Sequence, residues 1–192
     1  MDSNSMFLET FAWAHRSPNC LENEDWEMIS CFMNGDGSPL SIIHDLKDKG
    51  NVLFKQNCFE VDGSCYDRAC KILSFIVVSL ENYDAKSCSD LAVSLSLNLT
   101  ACALKVQEHE MARDICSMIL SYFPENIKAL FRRALSFMKC DMFLEAHEDL
   151  EKALKIEPQI LRIRTFLGNI MWSRIVLPLI LMVKGVWMTR VK

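Results

Sequence analysis

The chain of 192 residues has few residues that interrupt helices, with only six glycines and five prolines. About half of its residues are hydrophobic, which is enough to form one packed core of ordinary size. Few helix breakers beside many helix formers predict long helices joined by short turns. Long apolar runs are also lacking. The longest is the nine residues Ile175–Val183, about half of what a membrane-spanning helix needs.

Several kinds of site have no counterpart in the sequence. The nine cysteines include no Cys-x-x-Cys pair, and the four histidines are scattered, so no metal site is expected. Cys70, Cys102 and Cys116 lie in apolar helical patterns, which predicts buried, reduced thiols in a cytosolic protein. The sequence shows neither a nucleophile–base pair nor a glycine-rich phosphate loop. We therefore expect no enzymatic activity, no cofactor and no nucleic-acid partner.

The N-terminal part of the chain has almost no cations, and the C-terminal part has no acidic residues. Residues 1–45 carry eight acidic residues and a single cation, Arg16, whereas residues 159–192 carry six cations and no acid. The sequence therefore divides into an acidic head (1–40), a middle part (41–158) and a basic, hydrophobic tail. The head is a poor secretory signal and is predicted to be largely disordered. Its acidic run ENEDWE could alternatively fold back onto a basic groove.

A period of 34 residues runs through the middle part. Residues 98–124 align with the segment 34 positions further on, so that Ala112 falls on Ala146 and Pro124 on Pro158. A small residue lets two antiparallel helices cross closely, and a proline ends the second helix because it lacks an N–H donor. Since one such pair cannot bury its apolar face alone, copies are expected to stack.

These features resemble the tetratricopeptide repeat (TPR). LKDKGNVLFKQ (46–56) looks like the first helix of a first repeat, with Gly50 at the close-packed glycine position. The resemblance implies an all-α fold of antiparallel helix pairs stacked as a right-handed TPR superhelix, with three repeats and a capping helix. Helices are predicted at residues 41–57, 65–82, 87–105, 108–122, 125–139 and 142–156.

The first repeat departs from the pattern in its spacing. Ala69 is predicted to lie at the helix crossing of this repeat, and 19 positions separate it from Gly50. The repeat pattern has about 12 positions there. We therefore expect an insertion of about seven residues, within CFEVDGSCY, in the first inter-helix turn.

The resemblance narrows to one group of TPR proteins. The run from CKILSFIVVSLENYD through LAVSLSLNLTACALKV to ALFRRALSF is similar to the repeat domain of the large FKBP-type immunophilins, whose first repeat also ends in an extended helix. DWEM (25–28) resembles the short tryptophan-containing segment before their repeats. The head is too short for an isomerase domain. The resemblance is therefore not expected to bring isomerase activity, and a residual or regulatory isomerase-family member is an alternative.

Five polar residues match a binding motif of this family. The first helices of stacked pairs line the concave face of the array. In the chaperone-binding members, residues on these helices form a carboxylate clamp that holds the C-terminal Glu-Glu-Val-Asp tail of the ninety- and seventy-kilodalton heat-shock chaperones. The resemblance implies this role for Lys47, Asn51, Asn98, Lys128 and Arg132.

The chemistry of these residues suits an acidic chain end. Lys47 and Lys128 supply compact charges, and Arg132 can bind two oxygens with its guanidinium fork. The amides of Asn51 and Asn98 donate N–H groups without repelling the cations. The sequence thus predicts a cytoplasmic, non-catalytic co-chaperone adaptor. The alternative is a general TPR protein-interaction scaffold with another partner, which could be tethered to a membrane.

The tail admits three interpretations. Its first part could be a capping helix with Leu161, Phe166 and Ile170 on the inner face. Cations flank its apolar run, so membrane association through residues 170–188 is a second interpretation. As a basic segment that contains tryptophan, it also suits a calmodulin-type partner or an anionic membrane surface.

Overall fold

The computed structural model describes residues 2–15, 39–79 and 84–170. Within these ranges the chain forms eight α-helices and no strand, so the predicted all-α fold is confirmed. The helices are α1 (Ser3–Ala14), α2 (Pro39–Lys55), α3 (Phe59–Ser79), α4 (Ala85–Lys105), α5 (His109–Tyr122), α6 (Ile127–Lys139), α7 (Phe143–Ile156) and α8 (Leu161–Ile170).

The chain divides into two compact units. In the first unit, Met1–Pro124, α2 packs on α3, α3 on α4, and α4 on α5. In the second unit, Glu125–Lys192, α6 packs on α7, and α7 on α8. The three predicted antiparallel pairs are therefore α2 with α3, α4 with α5, and α6 with α7.

The same three-residue turn joins the two helices of each pair. Its middle residue has a positive φ in every case: Asn57 (61°), Gln107 (66°) and Asp141 (59°). Non-glycine residues rarely adopt this conformation. In each turn the third residue donates its N–H to the carbonyl oxygen five positions earlier, at 2.8 to 3.1 Å. Such a bond closes a helix C-terminus, so the three turns are structurally equivalent.

The predicted insertion in the first turn is wrong. This turn is as short as the other two, and most of the residues assigned to the insertion form the start of α3. Counted from the left-handed turn residue, Asp62 is the equivalent of Ala112 and Ala146, and Ala69 lies two helical turns further on. The extra residues lengthen α3 and α4, which have 21 residues each, whereas α6 and α7 have 13 and 14.

Gly50 is the close-packing position of the first pair, as predicted, but its partner is not Ala69. A Cβ atom on Gly50 would lie 2.7 Å from two ring carbons of Tyr66. The absent side chain lets the tyrosine ring pack directly on the backbone of α2. Tyr66 is buried in this position, with 2% of its surface exposed.

The head begins with a helix, α1, which the prediction of a largely disordered segment 1–40 did not include. Phe7, Leu8 and Phe11 on α1 are completely buried, and α1 packs on α3, α4 and α5. A helix of 12 residues is marginal alone in water, so this burial is what stabilises it. The segments ENEDWE and DWEM lie outside the described residues.

A buried ion pair joins α6 to α7. Arg133 donates from Nε and from Nη2 to the two carboxylate oxygens of Asp149, each at 2.7 Å. The Asp149 side chain is almost fully buried, and the guanidinium also lies over the Phe137 ring. Such a fork fixes the direction of both side chains. Arg133 therefore has a structural role within the second unit.

The capping-helix interpretation of the tail is correct in part. The α8 helix packs on α7, and Phe166 contacts the Phe131 ring edge to face. However, Leu161 is 73% exposed, and Ile163 is the buried residue of this helix. Of the predicted inward residues, Phe166 is therefore confirmed and Leu161 is wrong. The side chain of Ile170 and residues 171–192 lie outside the described residues.

Candidate functional site

The fold brings two of the five predicted binding residues into contact. Asn51 lies on α2 and Asn98 on α4, 47 positions apart in the sequence, and Asn98 Nδ2 donates a hydrogen bond of 3.2 Å to Asn51 Oδ1. Tyr66 on α3 donates its hydroxyl to the same oxygen at 2.8 Å. Three helices of the first unit therefore meet at one amide oxygen.

Lys47 lies one helical turn before Asn51. It precedes Asn51 by four residues on α2, so the two side chains share one face of the helix. Lys47 is partly exposed. Asn51 Nδ2 lies 3.5 Å from Oδ1 of Asp48, an exposed acid that directly follows Lys47 on the helix. The first unit thus has a lysine and an amide N–H₂ group on one helix face, and the carboxylate of Asp48 lies near the amide.

The other two predicted residues lie in the second unit. Asn126 caps α6 by accepting a hydrogen bond of 3.0 Å from the backbone N–H of Ala129. Lys128 follows in the first turn and is exposed, and Arg132 lies one turn later and is half-exposed. Their spacing of four residues places them on one helix face. The neighbouring Arg133 points instead to Asp149.

All five residues lie on the first helix of a pair, as predicted. Lys47 and Asn51 are on α2, Asn98 is on α4, and the remaining two are on α6. Asn98 and Arg132 each precede the left-handed turn residue of their pair by nine positions, so they occupy equivalent places in successive repeats. Binding of one ligand by these five residues stays a prediction.

Tyr66 is a member of this contact that the sequence pattern does not reveal. An aromatic residue in a helical apolar pattern reads as core, and Tyr66 is indeed buried. Its hydroxyl nevertheless reaches Asn51, 15 positions earlier. A signal was present in the sequence, because a buried tyrosine needs a partner for its hydroxyl, but only the fold identifies that partner.

The described cysteines are reduced thiols, and their predicted burial is confirmed at Cys70, Cys102 and Cys116. Burial raises the pKa of the Cys70 thiol far above its ordinary value, which suppresses the reactive thiolate. Among residues 2–15, 39–79 and 84–170, no group of three His, Cys, Asp or Glu side chains could hold a metal ion.

One described helix, α4, has the length and apolar composition of a membrane-crossing segment. Of its most apolar stretch, 61% is buried within the fold. The burial is what a core helix requires, and α4 packs on three neighbours, α1, α3 and α5. The apolar composition of α4 is therefore accounted for by its place in the core of the first unit.

No protein-family model matches the chain. A curated relative, outer envelope protein 61 of Arabidopsis thaliana, is 31% identical over 114 residues. The match covers 59% of this chain and 19% of the relative. The chain spans about a fifth of the length of the curated relatives that it matches first.

Two solved domains have a similar fold. The C-terminal TPR-containing domain of a Plasmodium falciparum protein described as FK506-binding has a TM-score of 0.59 at 26% identity, over 71% of this chain and 92% of that domain. The second TPR domain of human RPAP3, in complex with the HSP70 peptide SGPTIEEVD, has a TM-score of 0.54 at 26% identity, over 69% of this chain and 98% of that domain. Each likeness extends across nearly the whole of the compared domain.

Proposed function

We propose that this chain is a non-catalytic co-chaperone adaptor. The premise is that it is a TPR-domain protein resembling the TPR domains of FKBP-type immunophilins. Its ligand is the acidic C-terminal Glu-Glu-Val-Asp tail of the ninety- or seventy-kilodalton heat-shock chaperone. The ligand is held by a carboxylate clamp. The clamp residues are Lys47, Asn51, Asn98, Lys128 and Arg132.

The observation that carries this proposal is the contact between Asn98 Nδ2 and Asn51 Oδ1 at 3.2 Å. These two amides were selected from the sequence as parts of one binding site, although 47 positions separate them. Their contact supports a common role. The relative RPAP3 gives further support, because its TPR domain was solved with an HSP70 peptide ending in the same four residues.

The division of labour follows from the chemistry of each side chain. A C-terminal aspartate presents two carboxylates on one residue, which need cations and neutral N–H donors. Lys47 and Lys128 attract them, Arg132 binds an oxygen pair, and the amide N–H groups orient them. Charge-assisted hydrogen bonds contribute roughly 1.5–3 kcal/mol each. After the cost of ordering a flexible tail, an affinity on the order of micromolar follows.

The adaptor acts in the cytoplasm and has no isomerase activity of its own. The likeness to an FK506-binding protein concerns its C-terminal TPR-containing domain alone. A proline-isomerisation assay on the full chain is expected to give the uncatalysed rate. Catalysis above that rate would instead support a residual isomerase-family member.

Peptide binding tests the clamp directly. We expect Lys128→Ala and Arg132→Ala each to weaken binding of a fluorescent Glu-Glu-Val-Asp peptide about tenfold or more, because each removes a charged donor. Fluorescence anisotropy at fixed ionic strength is the measurement. Lys152→Ala, an exposed lysine on α7 of the same unit, is the matched control and is expected to bind normally.

The C-terminal carboxylate provides the second arm of this test. Amidation of the peptide removes one of the two terminal charges and is expected to reduce binding strongly. Equal binding of the free and the amidated peptide would refute the clamp. Added salt is expected to weaken binding of the free peptide, since the charged groups are partly exposed.

A second candidate is a general TPR interaction scaffold tethered to a membrane through residues 170–188. The likeness to an outer envelope protein favours it. Fractionation of the expressed chain without detergent separates the two candidates. Recovery in the membrane fraction, together with no binding of the acidic peptide, would support the scaffold.

A further inference from the structure

We infer that Tyr66 is a positioning residue that makes the clamp select a free carboxylate over an amide. It does so by holding the Asn51 amide with its oxygen toward the protein and its N–H₂ group toward the ligand. The inference rests on the proposed function, since it concerns the same ligand.

The oxygen of Asn51 is fully used within the fold. An amide oxygen has two lone pairs. Here one accepts from the Tyr66 hydroxyl at 2.8 Å and the other from Asn98 Nδ2 at 3.2 Å. Asn51 Oδ1 therefore has no acceptor capacity left for a ligand, and only its N–H₂ group can contribute to binding.

The N–H₂ group of Asn51 is directed to a side where a carboxylate is present. The nearest one belongs to the exposed Asp48, whose Oδ1 lies 3.5 Å from Asn51 Nδ2. This distance is long for a hydrogen bond, so Asp48 holds the group weakly. A peptide carboxylate bound more closely would receive the same N–H donors.

Tyr66 can impose this orientation because its own position is fixed. Its ring packs where a side chain at Gly50 would stand, 2.7 Å from the Cβ site, and only 2% of the residue is exposed. Gly50 directly precedes Asn51 on α2. Because Gly50 has no side chain, the Tyr66 ring can pack there, and its hydroxyl reaches Asn51, the next residue.

Without that hydroxyl, the two asparagines form a pair in which either amide can donate. If both amides rotate by half a turn, Asn51 donates to Asn98 and turns its oxygen toward the ligand. An amide oxygen repels a carboxylate and accepts a hydrogen bond from an amidated chain end. Loss of the hydroxyl is therefore expected to weaken carboxylate binding and to relax the discrimination against the amide.

The test uses the full chain, its Tyr66→Phe variant and two peptides that end in Glu-Glu-Val-Asp, one with a free C-terminus and one amidated. We expect the variant to bind the free peptide about fivefold more weakly and the amidated peptide no more weakly than the wild type does. The preference for the carboxylate falls accordingly. A purely structural defect would weaken both peptides alike.

Tyr122→Phe is the matched control. Tyr122 lies in the same unit and also makes a hydroxyl contact, with Thr10 on α1, away from Asn51. We expect this variant to keep the wild-type preference. An unchanged preference in Tyr66→Phe as well, with the wild type discriminating, would overturn this inference and leave the proposed function intact.

A measurement without peptide separates the two proposals further. In ¹⁵N spectra of the side-chain amides, Tyr66→Phe is expected to shift the Asn51 and Asn98 signals, whereas Tyr122→Phe leaves them in place. Unchanged Asn51 signals in Tyr66→Phe would overturn the inference. Failure of the wild type to bind either peptide would refute the proposed function, and the amide spectra would still decide whether Tyr66 orients Asn51.

Discussion

Gly50 shows how one residue sets the distance between two helices. Its Cβ site is 2.7 Å from the ring of Tyr66, which is closer than real Cβ contacts come. The ring cannot move aside easily because Tyr66 is buried. Any side chain at this position must push α2 away from α3 or displace the tyrosine.

In Gly50→Ala, overpacking is expected to cost about 2–3 kcal/mol, because the added Cβ atom meets a buried ring at 2.7 Å. This cost opposes the gain of about 1 kcal/mol that alanine brings to a helix interior, so the net effect is a lower midpoint of thermal unfolding. Gly168→Ala on α8 is the control, because among the described residues no side chain beyond its chain neighbours and no other helix lies within 4 Å of its Cβ site. That variant is expected to be as stable as the wild type or more so. Equal stability of Gly50→Ala and wild type would contradict the packing described here.

The first helix shows what a secondary-structure element gains from its neighbours. The α1 segment has one face of completely buried residues, among them Phe7 and Phe11, and an opposite face with Trp13, which is 79% exposed. The ring of Phe7 meets those of Tyr122 and Phe123 edge to face. The acidic head therefore begins with an integral part of the first unit.

We expect Phe7→Ala to lower the free energy of unfolding by about 3–5 kcal/mol, as for other buried aromatic residues. Denaturant unfolding of the full chain is the measurement. Trp13→Ala removes a larger aromatic residue from the same helix and is expected to cost little, because its side chain is mostly in water. Similar losses for the two variants would show that α1 does not pack as described.

The elements of the first repeat also show where sequence alignment fails. A match of both Gly50 and Ala69 to the repeat pattern requires an insertion in the turn between them. The turn itself identifies the true register, since Asn57, Gln107 and Asp141 share one backbone conformation. Positive φ at a non-glycine residue leaves only a weak mark in the sequence, because Asn, Gln and Asp also occur widely on helix surfaces.

At the scale of the whole molecule, the distribution of cysteines reports on the fold. Five described cysteines are buried and Cys58 is exposed. The buried ones are Cys65, Cys70, Cys88, Cys102 and Cys116. These cysteines lie on α3, α4 and α5. The rate at which each one is alkylated in the native chain therefore tests whether that part of the first unit is packed.

We expect brief alkylation of the native chain to label Cys58 and to spare the buried cysteines, since the reagent does not reach a buried thiol. Peptide mapping by mass spectrometry scores each residue separately, and the unfolded chain is the control in which all react. Rapid native labelling of Cys70, whose pKa is raised by burial, would contradict the observed core.

The sequence by itself determined the helical class, the pairing of helices and the first-helix positions of the five residues that are predicted to bind the ligand. These follow from local patterns: apolar periodicity, a 34-residue repeat, and small residues and prolines in register. The tertiary structure alone decided that α1 belongs to the first unit, that Arg133 pairs with Asp149, and that the Tyr66 hydroxyl bonds to Asn51. Each of these depends on which side chains meet across helices. A contact between two residues that are distant in the sequence leaves no periodic pattern in a single sequence.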